Sequence, residues 1–154
     1  VLFTAVDDKD KDEEKVEIYL SVLDNKFEVL WDKKVKLNQM QDMVKIDEWS
    51  LSANGDVFML AKVYEGNKAK ESKKGKKGKV ANYQMKLYHF KKDSPEPIQY
   101  DLKLGSSFIK GSTISFNKAG EMICIGFFSN TLGGILVDAP LDAFHVGDEQ
   151  VVAH

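Results

Sequence analysis

The chain is short of the residues that staple, span membranes or catalyse. It has one cysteine, Cys124, so no disulfide forms within it. That cysteine sits in the apolar run MICIGFF with no base near it in sequence. Such a setting suits a small buried hydrophobe, not a nucleophile. No run approaches the ~18 apolar residues of a membrane span, and no signal peptide is visible. The three histidines, His89, His145 and His154, are too far apart in sequence to make a ligand motif. G-x-S-x-G, P-loop, H-E-x-x-H and dinucleotide signatures are absent. Ser107 and Lys110 match S-x-x-K by chance, because the companion motifs of that enzyme class are missing. Gly133-Gly134 reads as a turn. No sustained helical stripe occurs, and KLNQMQDMVKIDE (36–48) holds one short helical turn at most. No cofactor is expected.

What is present is alternation with period two, the mark of half-buried strands. Val16, Ile18, Leu20 and Val22 share one face of VEIYLSVLD, and Phe27, Val29 and Trp31 one face of KFEVLWD. Tyr83, Met85 and Leu87 alternate in NYQMKLYHF, as do Ile98, Tyr100, Leu102 and Leu104 in PIQYDLKLG. DVFMLAKVY (56–64) and EMICIGFF (121–128) are apolar almost throughout, which predicts strands covered on both faces. Trp31, Trp49, Tyr100, Phe127 and Phe128 are placed in the core or between sheets.

The pattern recurs. QDMVKIDEWSLSANGDVFMLAKVY (41–64) aligns with SSFIKGSTISFNKAGEMICIGFFS (106–129) at an offset of 65, VEIYLSVLD with YQMKLYHFK at 67, and VLFTAV (1–6) with FMLAKV (58–63) at 57. The unit predicts four strands near 45–52, 56–64, 83–91 and 97–104. The first pair turns at ANGD, an Asn-Gly hairpin signal, and the last at the polar KKDSPEP. The expectation is one all-β segment over 1–154: a partial unit (1–40), a complete one (41–105) and a second partial one (106–154). Antiparallel four-stranded units in series predict a partial β-propeller. An up-and-down β-barrel is the alternative. About two and a half units cannot close a ring, so further repeats or copies are needed, and a segment of a longer chain is expected.

DMVKIDEWSLSANGDVFMLAKVYEG, NYQMKLYHF and ISFNKAGEMICIGFFSN, ending in Gly126-Phe127-Phe128-Ser129, resemble segments of uncharacterised β-propeller-like repeat proteins of bacterial cell envelopes. The resemblance covers about 41–130. It implies an extracytoplasmic location (periplasm or outer envelope) and carries no catalytic motif. Trp31-Asp32 is reminiscent of WD40 repeats, but the unit is too long and lacks their Gly-His dipeptide.

Charge is distributed unevenly. KAKESKKGKKGK (68–79) carries a net +6, leaving −8 on the other 142 residues of a chain whose net charge is −2. A nucleic-acid binder spreads its basic surface across the domain, so this distribution argues against nucleic acid. The segment reads as a mobile, solvated hairpin loop, with Lys73, Lys74, Lys76 and Lys77 as candidate contacts for an anionic partner. Its counterpart, DDKDKDEEK (7–15), is acidic. Asp8, Asp10 and Asp12 have calcium-loop spacing, but Glu13 stands where that loop needs Gly, and Tyr19 where it needs Glu. Trp49 and Tyr88 are candidates for a sugar platform, provided that they are exposed. The expected function is non-enzymatic binding or scaffolding, with a protein or carbohydrate partner. The alternatives are a propeller hydrolase or lyase using Asp47, Glu48 or Asp56, its site completed by further blades, and a small-ligand barrel carrier.

Overall fold

The computed structural model describes residues 2–6, 15–76, 78–102, 108–118, 120–129, 142–146 and 151–153. They form an all-β, antiparallel structure. In chain order the strands are β1 (Leu2–Val6), β2 (Lys15–Leu23), β3 (Val29–Met40), β4 (Val44–Leu51), β5 (Val57–Tyr64), β6 (Ser72–Gly75), β7 (Gly78–Ala81), β8 (Tyr83–Phe90), β9 (Ile98–Leu102), β10 (Phe108–Phe116), β11 (Met122–Ser129), β12 (Asp142–Val146) and β13 (Val151–Ala153). The short helical turn expected within 36–48 is the 3-10 turn Gln41–Met43.

The strands make three open sheets, ordered β1-β2-β3, β4-β5-β8-β9 and β10-β11-β12-β13, and a small ribbon, β6-β7. Among the described residues no sheet closes on itself, so the ladder of an up-and-down barrel is not there.

The second sheet lies between the other two. One of its faces (Val57, Met59, Ala61, Tyr88 and Phe90) joins Val16, Ile18, Leu20, Val22, Trp31, Val35 and Leu37 of the first sheet in one core. Its other face (Phe58, Leu60, Tyr83, Met85, Leu87 and Leu102) joins Phe108, Ile109, Ile114, Met122 and Cys124 of the third. The two-sided burial of β5 is why its sequence does not alternate: Val57 through Lys62 are all buried. Each fully buried Leu, Ile or Met contributes about 1.5–3 kcal/mol, so these two interfaces dominate stability.

The β4–β5 and β10–β11 hairpins share register and turn at an offset of 65. Leu51 pairs with Val57 as Phe116 pairs with Met122. The Ser52 amide donates to the Asp56 carbonyl at 2.9 Å, and the Asn117 amide to the Glu121 carbonyl at 3.0 Å. Gly55 and Gly120 hold φ of 84° and 83°. Each opening side chain accepts the amide of the residue four later, at Ser52 Oγ (3.1 Å) and Asn117 Oδ1 (2.9 Å). This is a three-residue loop whose last member is left-handed, the natural place for glycine.

The β2–β3 turn repeats the scheme. The Asp24 amide donates to the Glu28 carbonyl at 2.9 Å, and Asp24 Oδ1 accepts the Glu28 amide at 2.9 Å. Here Phe27 takes the left-handed position at φ 65°. That turn overrides the alternation read in KFEVLWD. Trp31 is buried, but Phe27 and Val29 are 67% and 59% exposed, because the chain reverses at Phe27 and a register shift follows at Val29. Phe127, placed by sequence in the core or between sheets, is 54% exposed and so is not in the core.

Candidate functional site

The lysine-rich segment is not the plain loop that its sequence suggests. Ser72–Gly75 and Gly78–Ala81 pair as a ribbon, with Gly75 opposite Gly78 and Lys74 opposite Lys79. Asn82 fastens its neck. Its amide donates to the Glu71 carbonyl at 3.1 Å, its carbonyl accepts the Glu65 amide at 3.0 Å, and its side chain donates to the Glu65 carbonyl at 3.0 Å. Lys73 pairs with Glu65. Lys73, Lys74 and Lys76 are exposed along the ribbon; Lys77 lies outside the described residues.

Glu71, the one acid of the run, reaches back to the second sheet. It accepts from the Tyr64 hydroxyl at 2.6 Å and lies 3.6 Å from the ammonium of Lys62. Lys62 is the charged member of the doubly covered strand β5 and is 8% exposed. Its ammonium stands 4.7 Å from the centre of the Tyr83 ring, a cation–π contact. The Tyr83 oxygen accepts the Ile109 amide of β10 at 2.7 Å. Burial, reinforced by Glu71, pushes the Tyr64 hydroxyl well above its ordinary range.

Beside this cluster a cleft of about 240 Å³ opens between the second and third sheets, lined by Lys45, Asp47, Lys62, Ile109, Gly111 and Ser112. Two ladder irregularities shape it. β4 skips Asp47 in its pairing between Ile46 and Glu48, and β10 shifts register between Ile109 and Gly111. Bulges re-aim side chains and open space next to a strand. Burial raises the Asp47 carboxyl, with Lys62 and Lys45 partly offsetting the rise. The Ser112 hydroxyl oxygen is buried without a hydrogen-bond partner.

The other carboxylates proposed from sequence have structural partners. Glu48 accepts from the Thr113 hydroxyl at 3.0 Å and the Ile114 amide at 2.9 Å. Asp56 stands 2.8 Å from His89 Nε2, whose ring stacks on Phe58 at 4.2 Å between centroids. Burial holds His89 below its ordinary pKa despite that partner. Cys124 is buried, its thiol pushed up to about 11 by burial and the Glu48 charge.

The sugar platform is not built. Tyr88 is 0% exposed, because its register opposite Met59 turns it into the first core. Trp49 is half-buried against the same core, 6.0 Å from the Phe90 ring. Asp8, Asp10 and Asp12 lie outside the described residues, among which no group of three or more His, Cys, Asp and Glu could hold a metal. No helix among them is long and apolar enough to cross a membrane.

Sequence reading missed Lys62, Glu71 and Ser112. The available signal was Lys62 itself, a single charge within a strand otherwise apolar on both faces. No protein-family model, curated protein or solved structure matches the chain.

Proposed function

We propose that the chain is a run of β-propeller-like repeats acting as a non-enzymatic binding module, whose lysine ribbon docks an acidic polypeptide. The resemblance to envelope repeat proteins supports a role outside the cytoplasm. Three features support the repeat reading: meander sheets in series, the shared β4–β5 and β10–β11 turns, and a middle sheet covered on both faces. A fourth is the face of β11 turned away from the second sheet. It carries Ile123, Ile125 and the exposed Phe127, the surface that a further sheet of the same kind would cover.

The observation that carries the binding role is Lys74 directly opposite Lys79. Like charges across a strand pair repel, and a two-stranded ribbon is marginal by itself. An acidic segment laid along it would relieve that repulsion. The involvement of Glu48 and Asp56 in structural bonds supports binding over catalysis. A protein partner is favoured over carbohydrate because Tyr88 is buried.

The test is anisotropy of fluorescent poly-L-glutamate with the full chain and with the triple variant Lys74→Gln, Lys76→Gln, Lys79→Gln. Binding that weakens with salt and falls in the variant is expected. Equal binding by both proteins overturns the reading, and so does tighter binding of duplex DNA than of polyglutamate.

A further inference from the structure

The cleft between the second and third sheets is a second site, separate from the exposed ribbon. Its polar groups are poorly satisfied by the protein. Lys62 is buried, yet the carboxylate paired with its ammonium, Glu71, lies at 3.6 Å, longer than a hydrogen bond. The Ser112 hydroxyl oxygen has no partner. Asp47 stands at the β4 bulge with its carboxyl raised by burial. Orphaned buried polar groups cost about 1–3 kcal/mol each, and native proteins seldom carry them without cause. Here one such group, the Ser112 hydroxyl, meets the charged Lys62 and Asp47 at a cleft bounded by two bulges, features that recur next to binding sites.

Charge selects the kind of ligand. Lys45 and Lys62 balance Asp47 and Glu71 locally, so the outer field decides the sign. The ribbon, whose neck supplies Glu71, adds the exposed lysines Lys74, Lys76 and Lys79, while Lys73 is paired with Glu65. A positive rim draws anions toward the cleft. The roughly 240 Å³ corresponds to about eight waters' share of liquid volume, room for one small solute. The donors Lys62, Lys45 and Ser112 suit a carboxylate, and the acceptor Asp47 suits a hydroxyl beside it.

We propose that this cleft binds a small hydroxy-carboxylate, with its carboxylate on Lys62, Lys45 and the Ser112 hydroxyl turned inward by one χ1 rotation, and a ligand hydroxyl donating to Asp47. The module then holds a small acid in the cleft independently of any partner on the ribbon.

The experiment is an amide NMR titration of the full chain with D-glucuronate, set against neutral D-glucose and against acetate. Saturable shifts of the Gly111 and Ser112 amides with glucuronate are expected, with weak or no response to the other two. Lys62→Met keeps an unbranched apolar chain in the buried position and is expected to raise Kd about tenfold, the worth of one charge-assisted hydrogen bond. Asp47→Asn and Ser112→Ala leave the core intact, and each is expected to raise Kd about threefold or more. These two variants decide the matter if Lys62→Met does not fold. No saturable response up to about 20 mM, far weaker than the usual range of specific binding, overturns the site. An equal response to glucose removes the role of the carboxylate, and an equal response to acetate removes that of the hydroxyl; either overturns the ligand class. An unchanged Kd in the folded variants overturns the assignment of residues.

Discussion

The Glu48 carboxylate accepts the main-chain amide of Ile114 at 2.9 Å, so a side chain of β4 holds the backbone of β10. With the Thr113 hydroxyl at 3.0 Å it spans two donors at the join between the second and third sheets. Glu48→Ala is expected to cost about 1–3 kcal/mol, since it strands a partly buried amide. Urea denaturation of the two proteins checks this. A loss within error assigns the join to apolar packing alone.

Phe27 pays a backbone penalty that Gly55 and Gly120 avoid in turns bonded the same way. A left-handed L-residue costs roughly 1–2 kcal/mol, and the exposed Phe27 ring loses little burial on removal. Phe27→Gly is expected to stabilise the chain by about 0.5–1 kcal/mol, after the added freedom of glycine in the unfolded chain. Gly55→Ala is expected to destabilise it by about 1 kcal/mol. Paired thermal melts read both signs.

Tyr88 buries a hydroxyl that has no partner. Burial, with Asp101 adding to it, pushes that hydroxyl up to about 12. Tyr88→Phe removes the stranded group and keeps the ring stacked near Phe90. It is expected to leave stability unchanged or raise it by about 1 kcal/mol. A clear loss in denaturant midpoint contradicts this.

His89 is held below its ordinary pKa, chiefly by burial. The unfolded chain therefore takes up the proton first as the pH falls. Stability is expected to be full above the unfolded value of about 6.5, and to decline as pH falls from there toward the depressed folded value. His89→Phe is expected to flatten that part of the profile. Chemical denaturation between about pH 5 and pH 8 measures the slope, which is positive with pH if the sign is right.

Lys79→Glu turns the Lys74–Lys79 pair from repulsive to attractive. The β6–β7 ribbon is expected to gain about 0.2–1 kcal/mol, seen as slower amide exchange in residues 72–75 and 78–81. The same change is expected to weaken polyglutamate binding. A ribbon that gains protection and binds more tightly would contradict the docking role.

Strand positions were legible because each strand repeats a short-range pattern. The expected strands at 45–52, 56–64, 83–91 and 97–104 are observed at Val44–Leu51, Val57–Tyr64, Tyr83–Phe90 and Ile98–Leu102. Double coverage of β5 was legible for the same reason. Tyr88 was not, because both phases of NYQMKLYHF carry large apolar residues and periodicity cannot choose between them. The lysine ribbon was not, because composition signalled flexibility and the ladder depends on Asn82 and Glu71 closing its neck. The cleft was not, because Lys62 and Ser112 are 50 positions apart. They meet only through the packing of one sheet on another, and no local rule encodes that.

A middle layer clothed on both sides has a consequence for dissection of the protein. Excised alone, residues 41–105 would bare Val57, Met59 and Tyr88 on one side and Phe58, Leu60 and Leu87 on the other. Such a piece has two apolar sheet faces beside its lysine ribbon, and is expected to precipitate or stack on copies of itself. Cuts between the layers are therefore expected to yield aggregates, and the three sheets to unfold together as a single cooperative unit.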